Sequence, residues 1–127
     1  MFDLLYALAA LLVANGYVFG LFLTSVVYGK VTHAFMAFSA SLMFLFLFYR
    51  GTALQSSATA MATAVFTLGV SAGALWEIFE WSIDIIDGLA DTITDLLADI
   101  VGSLIAAILA IAIRRCGSRR HSGPPSV

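Results

Sequence analysis

Residues 4 to 28 read LLYALAALLVANGYVFGLFLTSVVY and contain no charged side chain over 25 positions. A helix that crosses the hydrocarbon core of a membrane needs about 20 predominantly apolar residues. Because this stretch is long enough and lacks the period-two alternation of a barrel strand, it predicts a transmembrane helix. It therefore places the chain among the all-α integral membrane proteins.

Three further apolar stretches predict three more membrane-spanning helices. Two of them are bounded by Lys30, Arg50 and a polar segment. The last stretch reaches spanning length only if it takes Asp99 into the membrane. We therefore predict a polytopic four-transmembrane-helix bundle that forms one domain, residues 1–113, with spans at about residues 4–28, 31–49, 58–80 and 96–113.

The composition supports the same fold class. The chain has 127 residues, of which 61% are hydrophobic and 11% are charged, whereas soluble domains contain about 25% charged residues. We expect membrane lipids around the chain and no nucleic-acid partner. The single cysteine, Cys116, cannot form an intramolecular disulfide. Asp3 and the length of the first apolar run argue against a cleavable signal peptide.

The C-terminal segment, residues 114–127, carries four arginines close to the last predicted span. It is also rich in Gly, Ser and Pro, a composition that predicts a disordered tail. Because Lys and Arg favour the cytoplasmic side, we predict a cytoplasmic tail. Four spans then place the N-terminus in the cytoplasm as well. The loop with Arg50 also falls inside, whereas Lys30 falls outside.

Seven of the eight acidic residues lie within 23 positions, between Glu77 and Asp99. The steps between them are three or four residues, which place side chains on one face of a helix. Asp87 and Gly88 predict a turn that separates two such helices. In the predicted topology His33 begins the second span on the same outer side. We therefore expect His33 and the acids to meet near the outer surface of the membrane.

Some of these acids have simpler explanations. Asp84 and Asp87 can be acids of a loop in water. Asp91 and Asp95 can belong to the first turn of a helix, where a capping box and the helix dipole favour carboxylates. Neither explanation accounts for the three remaining acids of the cluster, which are Glu77, Glu80 and Asp99.

Carboxylates that converge in a low-dielectric environment must either be protonated or hold a cation. Oxygen ligands with one imidazole suit Mg²⁺, Mn²⁺, Fe or Zn²⁺, so we expect a divalent metal ion as cofactor. The candidate catalytic residues are His33 and Glu80, with Lys30 steering an anion. A packed histidine near a helix end is the alternative interpretation of His33. The predicted metal ligands are His33, Glu77, Glu80, Asp91, Asp95 and Asp99.

Three functions are compatible with these features. The first is a metal-dependent enzyme that acts on a lipid or lipid-linked headgroup at the outer face of the membrane. The second is a proton or cation transporter, because buried carboxylates serve as relays in such proteins. The third is a small structural or assembly subunit of a membrane complex, suggested by the short chain.

Two small-residue motifs permit helices to approach closely. They are Gly16-x-x-x-Gly20 in the first predicted span and Gly69-x-x-x-Gly73 in the third. Packing within one chain is the simpler interpretation of both motifs. A homo-oligomer that forms through either motif is the alternative.

Three segments of the sequence resemble the YjdF-type family of bacterial and archaeal inner-membrane proteins, and more distantly the VanZ-like family. The resemblance implies a multi-pass protein of the inner (plasma) membrane and supports the predicted site without naming an activity. The chain departs from the family pattern at two positions: Gly29 stands where such proteins often have Asp, and Asp99 where they often have Asn. The segments are Tyr28-Gly-Lys-Val-Thr-His33, Gly73-Ala-Leu-Trp-Glu77-Ile-Phe-Glu80 and Asp91-Thr-x-x-Asp95-Leu-x-x-Asp99-x-x-Gly102.

Overall fold

The computed structural model describes residues 2–48, 57–84 and 88–121, and within these ranges the ordered elements are all helices. The all-α class predicted from the sequence is therefore confirmed. Arg50 and Asp87, which entered the predicted topology and acidic cluster, lie outside the described residues. The helices are α1 (Phe2–Val18), α2 (Leu21–Thr24), α3 (Val26–Phe48), α4 (Ala58–Ser82) and α5 (Leu89–His121).

The uncharged run at residues 4–28 does not form one helix. Gly20 adopts a left-handed conformation with φ 61°, and Ser25 is extended, so the run is divided among α1, α2 and the start of α3. The ring of Phe22 occupies the space beside Gly16 where a Cβ would otherwise lie. The Tyr28 hydroxyl donates a hydrogen bond to the carbonyl of Leu12 on α1. Hydropathy predicted the apolar environment of this run but not the end of its helix. Helix α1 ends before Gly20, because glycine adopts positive φ more readily than any other residue.

Three of the described helices are long and apolar enough to cross a membrane. They comprise residues Val26–Leu47, Ala58–Ser82 and Leu89–Arg115. Helix α1 contributes a shorter apolar segment, Ala7–Val18. By length and composition these three helices are therefore candidate membrane spans, as expected for a helical membrane protein.

Helices α3 and α5 both begin earlier than the sequence predicted, and this determines where the charged residues lie. Helix α3 begins at Val26, so Lys30 and His33 lie in its first turns rather than between two spans. Helix α5 begins at Leu89 rather than near residue 96, so Asp91 lies in its first turn. All three aspartates of the predicted ligand set on this segment therefore belong to one helix.

Helix α5 also ends later than predicted. Its 33 residues span about 50 Å, which exceeds a hydrocarbon core of about 30 Å. The helix continues beyond Arg114 to His121, where the sequence predicted disorder from residue 114 onward. The rest of the predicted tail, residues 122–127, lies outside the described residues.

The core lies where α3, α4 and α5 pack against one another. Helix α4 turns one stripe inward at steps of four residues, formed by Met61, Val65, Gly69, Gly73 and Glu77. One end of this stripe belongs to an apolar cluster, and the other end carries a buried carboxylate. The apolar cluster consists of Leu42, Met61, Val65, Ala106, Ala107 and Ala110.

Glycines set the distance between these three helices. A Cβ on Gly102 of α5 would overlap the backbone of Ala34 on α3. A Cβ on Gly73 of α4 would overlap the carboxyl group of Asp99 on α5. Both positions therefore require the absence of a side chain, and Gly73 faces its own chain rather than a separate copy.

We expect Gly102→Ala to destabilise the protein by about 1–3 kcal/mol, because the added methyl group meets backbone that cannot rotate away. Gly29→Ala on α3 is the matched control, since nothing lies within 4 Å of its Cβ position. That change should be neutral or stabilising by up to about 1 kcal/mol, since Ala favours helix. Thermal unfolding in detergent measures both, and equal effects of the two substitutions would contradict the close contact.

Candidate functional site

Lys30 joins the first turns of α3 and α5 at the more exposed end of the polar cluster. Its Nζ lies 2.5 Å from Asp91 Oδ1 and 2.8 Å from Asp95 Oδ1. The Asp91 side chain is 40% exposed, whereas that of Asp95 is 7% exposed. The structure thus pairs Lys30 with two of the predicted metal ligands, and its charge is offset by carboxylates from the same chain.

The imidazole of His33 lies one turn further along α3, among three buried carboxylates. Its Nδ1 is 3.4 Å from Asp99 Oδ1 and 3.7 Å from Glu77 Oε1. Its Nε2 is 3.8 Å from Asp95 Oδ1. These separations are longer than an ordinary N–H···O hydrogen bond, so they describe electrostatic proximity rather than tight hydrogen bonding. The predicted meeting of His33 with acids of α4 and α5 is present in the structure.

Glu80 completes a group of three side chains with the chemistry of metal ligands. His33, Glu77 and Glu80 each offer one ligand atom, and these atoms lie within 4.8 Å of one another. Glu77 and Glu80 are one turn apart on α4, so a single helix face supplies both carboxylates. This group unites residues that are more than 40 positions apart in the sequence.

Three carboxylate oxygens of the cluster are buried without a hydrogen bond from the described residues: Glu77 Oε1, Asp95 Oδ1 and Asp99 Oδ2. Asp95 Oδ1 is paired with Lys30, and the residues of the other two oxygens, Glu77 and Asp99, are 5% and 2% exposed. An unsatisfied buried acceptor costs about 1–3 kcal/mol, and more when it is charged. The arrangement therefore favours a bound cation or proton at these oxygens.

The charge of the cluster points the same way. Within the described chain, five carboxylates lie near only one lysine and one histidine: Glu77, Glu80, Asp91, Asp95 and Asp99 face Lys30 and His33. Even with a protonated histidine, the negative charges outnumber the positive ones. Charges at the end of a membrane bundle are poorly screened, so this excess attracts cations.

The early start of α5 decides which acids the helix dipole can explain. Asp91 lies in the first turn of α5, where the dipole favours a carboxylate. Asp95 lies one turn deeper and is 5% exposed. The capping-box interpretation of Asp95 is therefore wrong, because the helix begins six residues before it. Asp95 is held by Lys30 instead.

Aromatic residues surround this end of the bundle. Trp76 and Phe79 contact each other with ring centroids 5.4 Å apart, and Trp81 is 75% exposed. Such aromatic residues are typical of the membrane–water interface. Asp84 lies exposed in the turn after α4 with φ 59°, apart from the cluster.

Sequence reasoning missed the serines that continue the cluster into the bundle. Ser41 on α3 and Ser103 on α5 are both fully buried beside Gly69. A signal was present, because Gly69 lies on the same four-residue stripe as Gly73 and Glu77. Serine, however, occurs widely in membrane helices, and its position relative to α4 depends on how the helices pack.

We expect Lys30→Met to lower the free energy of unfolding by about 3–5 kcal/mol, because it leaves Asp95 buried without its cation. Asp91→Asn should cost only about 1 kcal/mol or less, since the Asp91 side chain is 40% exposed and solvent screens its charge. The double substitution Lys30→Met with Asp95→Asn should recover part of the loss. Denaturant unfolding in detergent tests this order, and an equal cost for the Lys30 and Asp91 variants would contradict it.

The comparisons with known proteins give a family and no further relative. No curated protein and no solved structure proved similar to the chain. One protein family matches residues 1–116, which include every residue of the site. By this match the chain belongs to the family described as "Predicted membrane protein (DUF2238)".

Proposed function

We propose that this protein binds a divalent metal ion at the outer face of the membrane and uses it to act on a lipid or lipid-linked headgroup. The observation that carries the proposal is the convergence of His33, Glu77 and Glu80 within 4.8 Å. The unsatisfied, buried Glu77 Oε1 is the independent sign that this group lacks a ligand.

The residues present fit a metal of the Mg²⁺, Mn²⁺, Fe or Zn²⁺ class. Glu77 and Glu80 would supply oxygen ligands and His33 a nitrogen ligand, a set of the kind found in catalytic sites with an open position. Asp99 lies 3.4 Å from the His33 ring, and it would orient that ring as a carboxylate behind a histidine ligand does. Asp91 and Asp95 are paired with Lys30. They would therefore add negative charge to the site, whereas Glu77, Glu80 and His33 would supply the ligands.

The chemistry follows from the position of the site. When bound, the metal would act as a Lewis acid toward a phosphoryl or carbonyl oxygen. Whichever of His33 and Glu80 does not coordinate the metal would hold or exchange a proton beside it. The aromatic belt of Trp76, Phe79 and Trp81 borders the site, so a substrate anchored in the lipid would reach it from the membrane side.

The alternative functions receive less support from the packing. A transporter needs a path to the opposite side of the membrane. In the described bundle the apolar cluster around Val65 and Ala106 follows the polar residues and closes that direction. An assembly subunit would use the exposed apolar faces, yet such faces also suit lipid. Gly16, Gly69 and Gly73 are covered by their own chain, whereas nothing lies within 4 Å of the Cβ position of Gly20, so a homo-oligomer would form beside Gly20 or on another surface.

We further infer a fourth membrane crossing by α1, with both termini in the cytoplasm of a bacterial or archaeal cell. Four crossings return the chain to its starting side, and the basic end of α5 favours the cytoplasmic side. The shared segments around His33, Glu77 and Asp95 support a relationship to the YjdF-type proteins and, more distantly, to the VanZ-like family.

Metal binding should depend on the proposed ligands. We expect Glu80→Gln and His33→Ala to weaken divalent-metal binding by about a hundredfold or more, since even residues behind the ligands contribute about tenfold to a hundredfold. Asp84→Asn, which removes an exposed acid outside the cluster, should bind as the unmodified protein does. Elemental analysis and metal titration after chelator treatment measure this. Purified protein that takes up no divalent ion would refute the proposal.

The predicted topology can be tested with the single cysteine. A membrane-impermeant maleimide should fail to label Cys116 in intact cells and should label it in inverted membrane vesicles. The expected physical basis is the retention of the arginine-rich end in the cytoplasm. Labelling of Cys116 in intact cells would show the opposite orientation, with the carboxylate site on the cytoplasmic side.

A further inference from the structure

A second group of buried oxygen atoms lies deeper in the bundle than the metal site proposed above. The hydroxyls of Ser41 and Ser103 belong to residues that are 0% exposed. Neither hydroxyl oxygen has a hydrogen-bond partner among the described residues. Both oxygens lie within 2.4 Å of the position that a Cβ on Gly69 would take, so α3 and α5 direct them into the same space against α4.

Asp99 extends this group by one turn. Its Oδ2 lies where a Cβ on Gly73 would be, and it also lacks a hydrogen-bond partner in the described chain. Gly69 and Gly73 are one turn apart on α4, and Asp99 and Ser103 are one turn apart on α5. One carboxylate oxygen and two hydroxyl oxygens therefore line a single glycine groove, formed by Gly69 and Gly73.

Three unsatisfied oxygens in such a place are unusual. Buried polar atoms nearly always have a partner, and a membrane bundle offers no bulk water to supply one. Hydroxyl hydrogens can be donated to neighbouring oxygens, but Asp99 then still carries its charge in a low-dielectric region. Among the described residues, no positive side chain is paired with these three oxygens, because the His33 ring faces the other oxygen of Asp99.

We propose that the glycine groove binds a dehydrated sodium ion, held by Asp99, Ser41 and Ser103. The three ligands are hard oxygen atoms with a single negative charge, which matches a monovalent cation better than a divalent one. Ion sites built from helix oxygen atoms deep in a bundle are an established solution for sodium in membrane proteins. Ser41 Oγ and Ser103 Oγ lie only 1.9 and 2.4 Å from one point beside Gly69, and hydroxyl ligands so close together favour sodium over the larger potassium ion.

This sodium site is separate from the proposed divalent site and does not depend on it. The two sites share only the environment of Asp99, whose Oδ1 faces His33 and whose Oδ2 faces the groove. The divalent site uses Glu80, which the sodium site does not use. A sodium ion in the groove would fix Asp99 and thereby the ring of His33.

The test compares thermal unfolding in sodium chloride and in potassium chloride of equal ionic strength, with a chelator present to remove divalent ions. Sodium should raise the melting temperature of the unmodified protein by at least about 4 °C. Once sodium is well above its Kd, the melting temperature should rise with the logarithm of the sodium concentration. Potassium should have little effect. An equal effect of both salts would mean that either salt only screens the repulsion between the carboxylates, and it would overturn the proposal.

Variants identify the ligands. Ser103→Ala should weaken the apparent sodium affinity by about tenfold or more, because it removes a hydroxyl that contacts a charge. Ser39→Ala is the matched control, since Ser39 is also buried on α3 but lies two residues from Ser41 and therefore on another side of the helix. Glu80→Gln should lose divalent binding and keep the sodium effect. A sodium effect that survives both Ser103→Ala and Asp99→Asn would refute the assignment.

Retention of radioactive sodium by the unmodified protein provides a measurement that does not require a variant to fold. Bound sodium that unlabelled sodium displaces, and potassium does not, would support the site. Stabilisation that depends on acidic pH but not on sodium would instead identify a proton as the partner of Asp99, and it would overturn the proposal.

Discussion

The close approach of α3, α4 and α5 is the constraint on which the rest of the molecule depends. Gly102 has no side chain, so the backbone of α5 lies directly against the backbone of α3 at Ala34. Gly73 gives the Asp99 carboxyl group its place in the same way. A membrane provides no hydrophobic force between helices, so dispersion contacts at such short distances must hold them together. The acids can be buried only because these contacts form.

The same packing divides the bundle into two ends with different physics. Around Val65 and Ala106 the interior is apolar and closely filled. Toward the start of α5 the interior is occupied by carboxylates that outnumber the positive charges of Lys30 and His33. Their mutual repulsion raises the free energy of the bundle when no cation is bound. Stability and ligand binding are thus linked, because a cation that relieves this repulsion also favours the folded bundle.

Hydropathy predicted much of the fold but not its boundaries. The class, the membrane environment and the positions of three long apolar helices follow from long uncharged runs. The run at residues 4–28 failed as a single helix because hydropathy is insensitive to backbone geometry, and Gly20 takes positive φ there. Lys30 was predicted to separate two spans, yet it lies inside α3, where its charge is paired with Asp91 on α5.

The candidate site was predictable in composition but not in arrangement. Helical spacing alone places Glu77 beside Glu80, and the predicted topology brought His33 to the same end of the bundle. The spacing could not reveal that Lys30 forms an ion pair with Asp95, since that contact joins residues 65 positions apart.

The sequence by itself determined that this chain is a helical membrane protein with an acidic end, because hydropathy and helical periodicity are local properties. Only the tertiary structure decided which acids are paired, which are unsatisfied, and that Ser41 and Ser103 meet at Gly69. Those outcomes depend on the rotation of each helix about its axis and on its distance from its neighbours. Both are set by packing between segments distant in the chain.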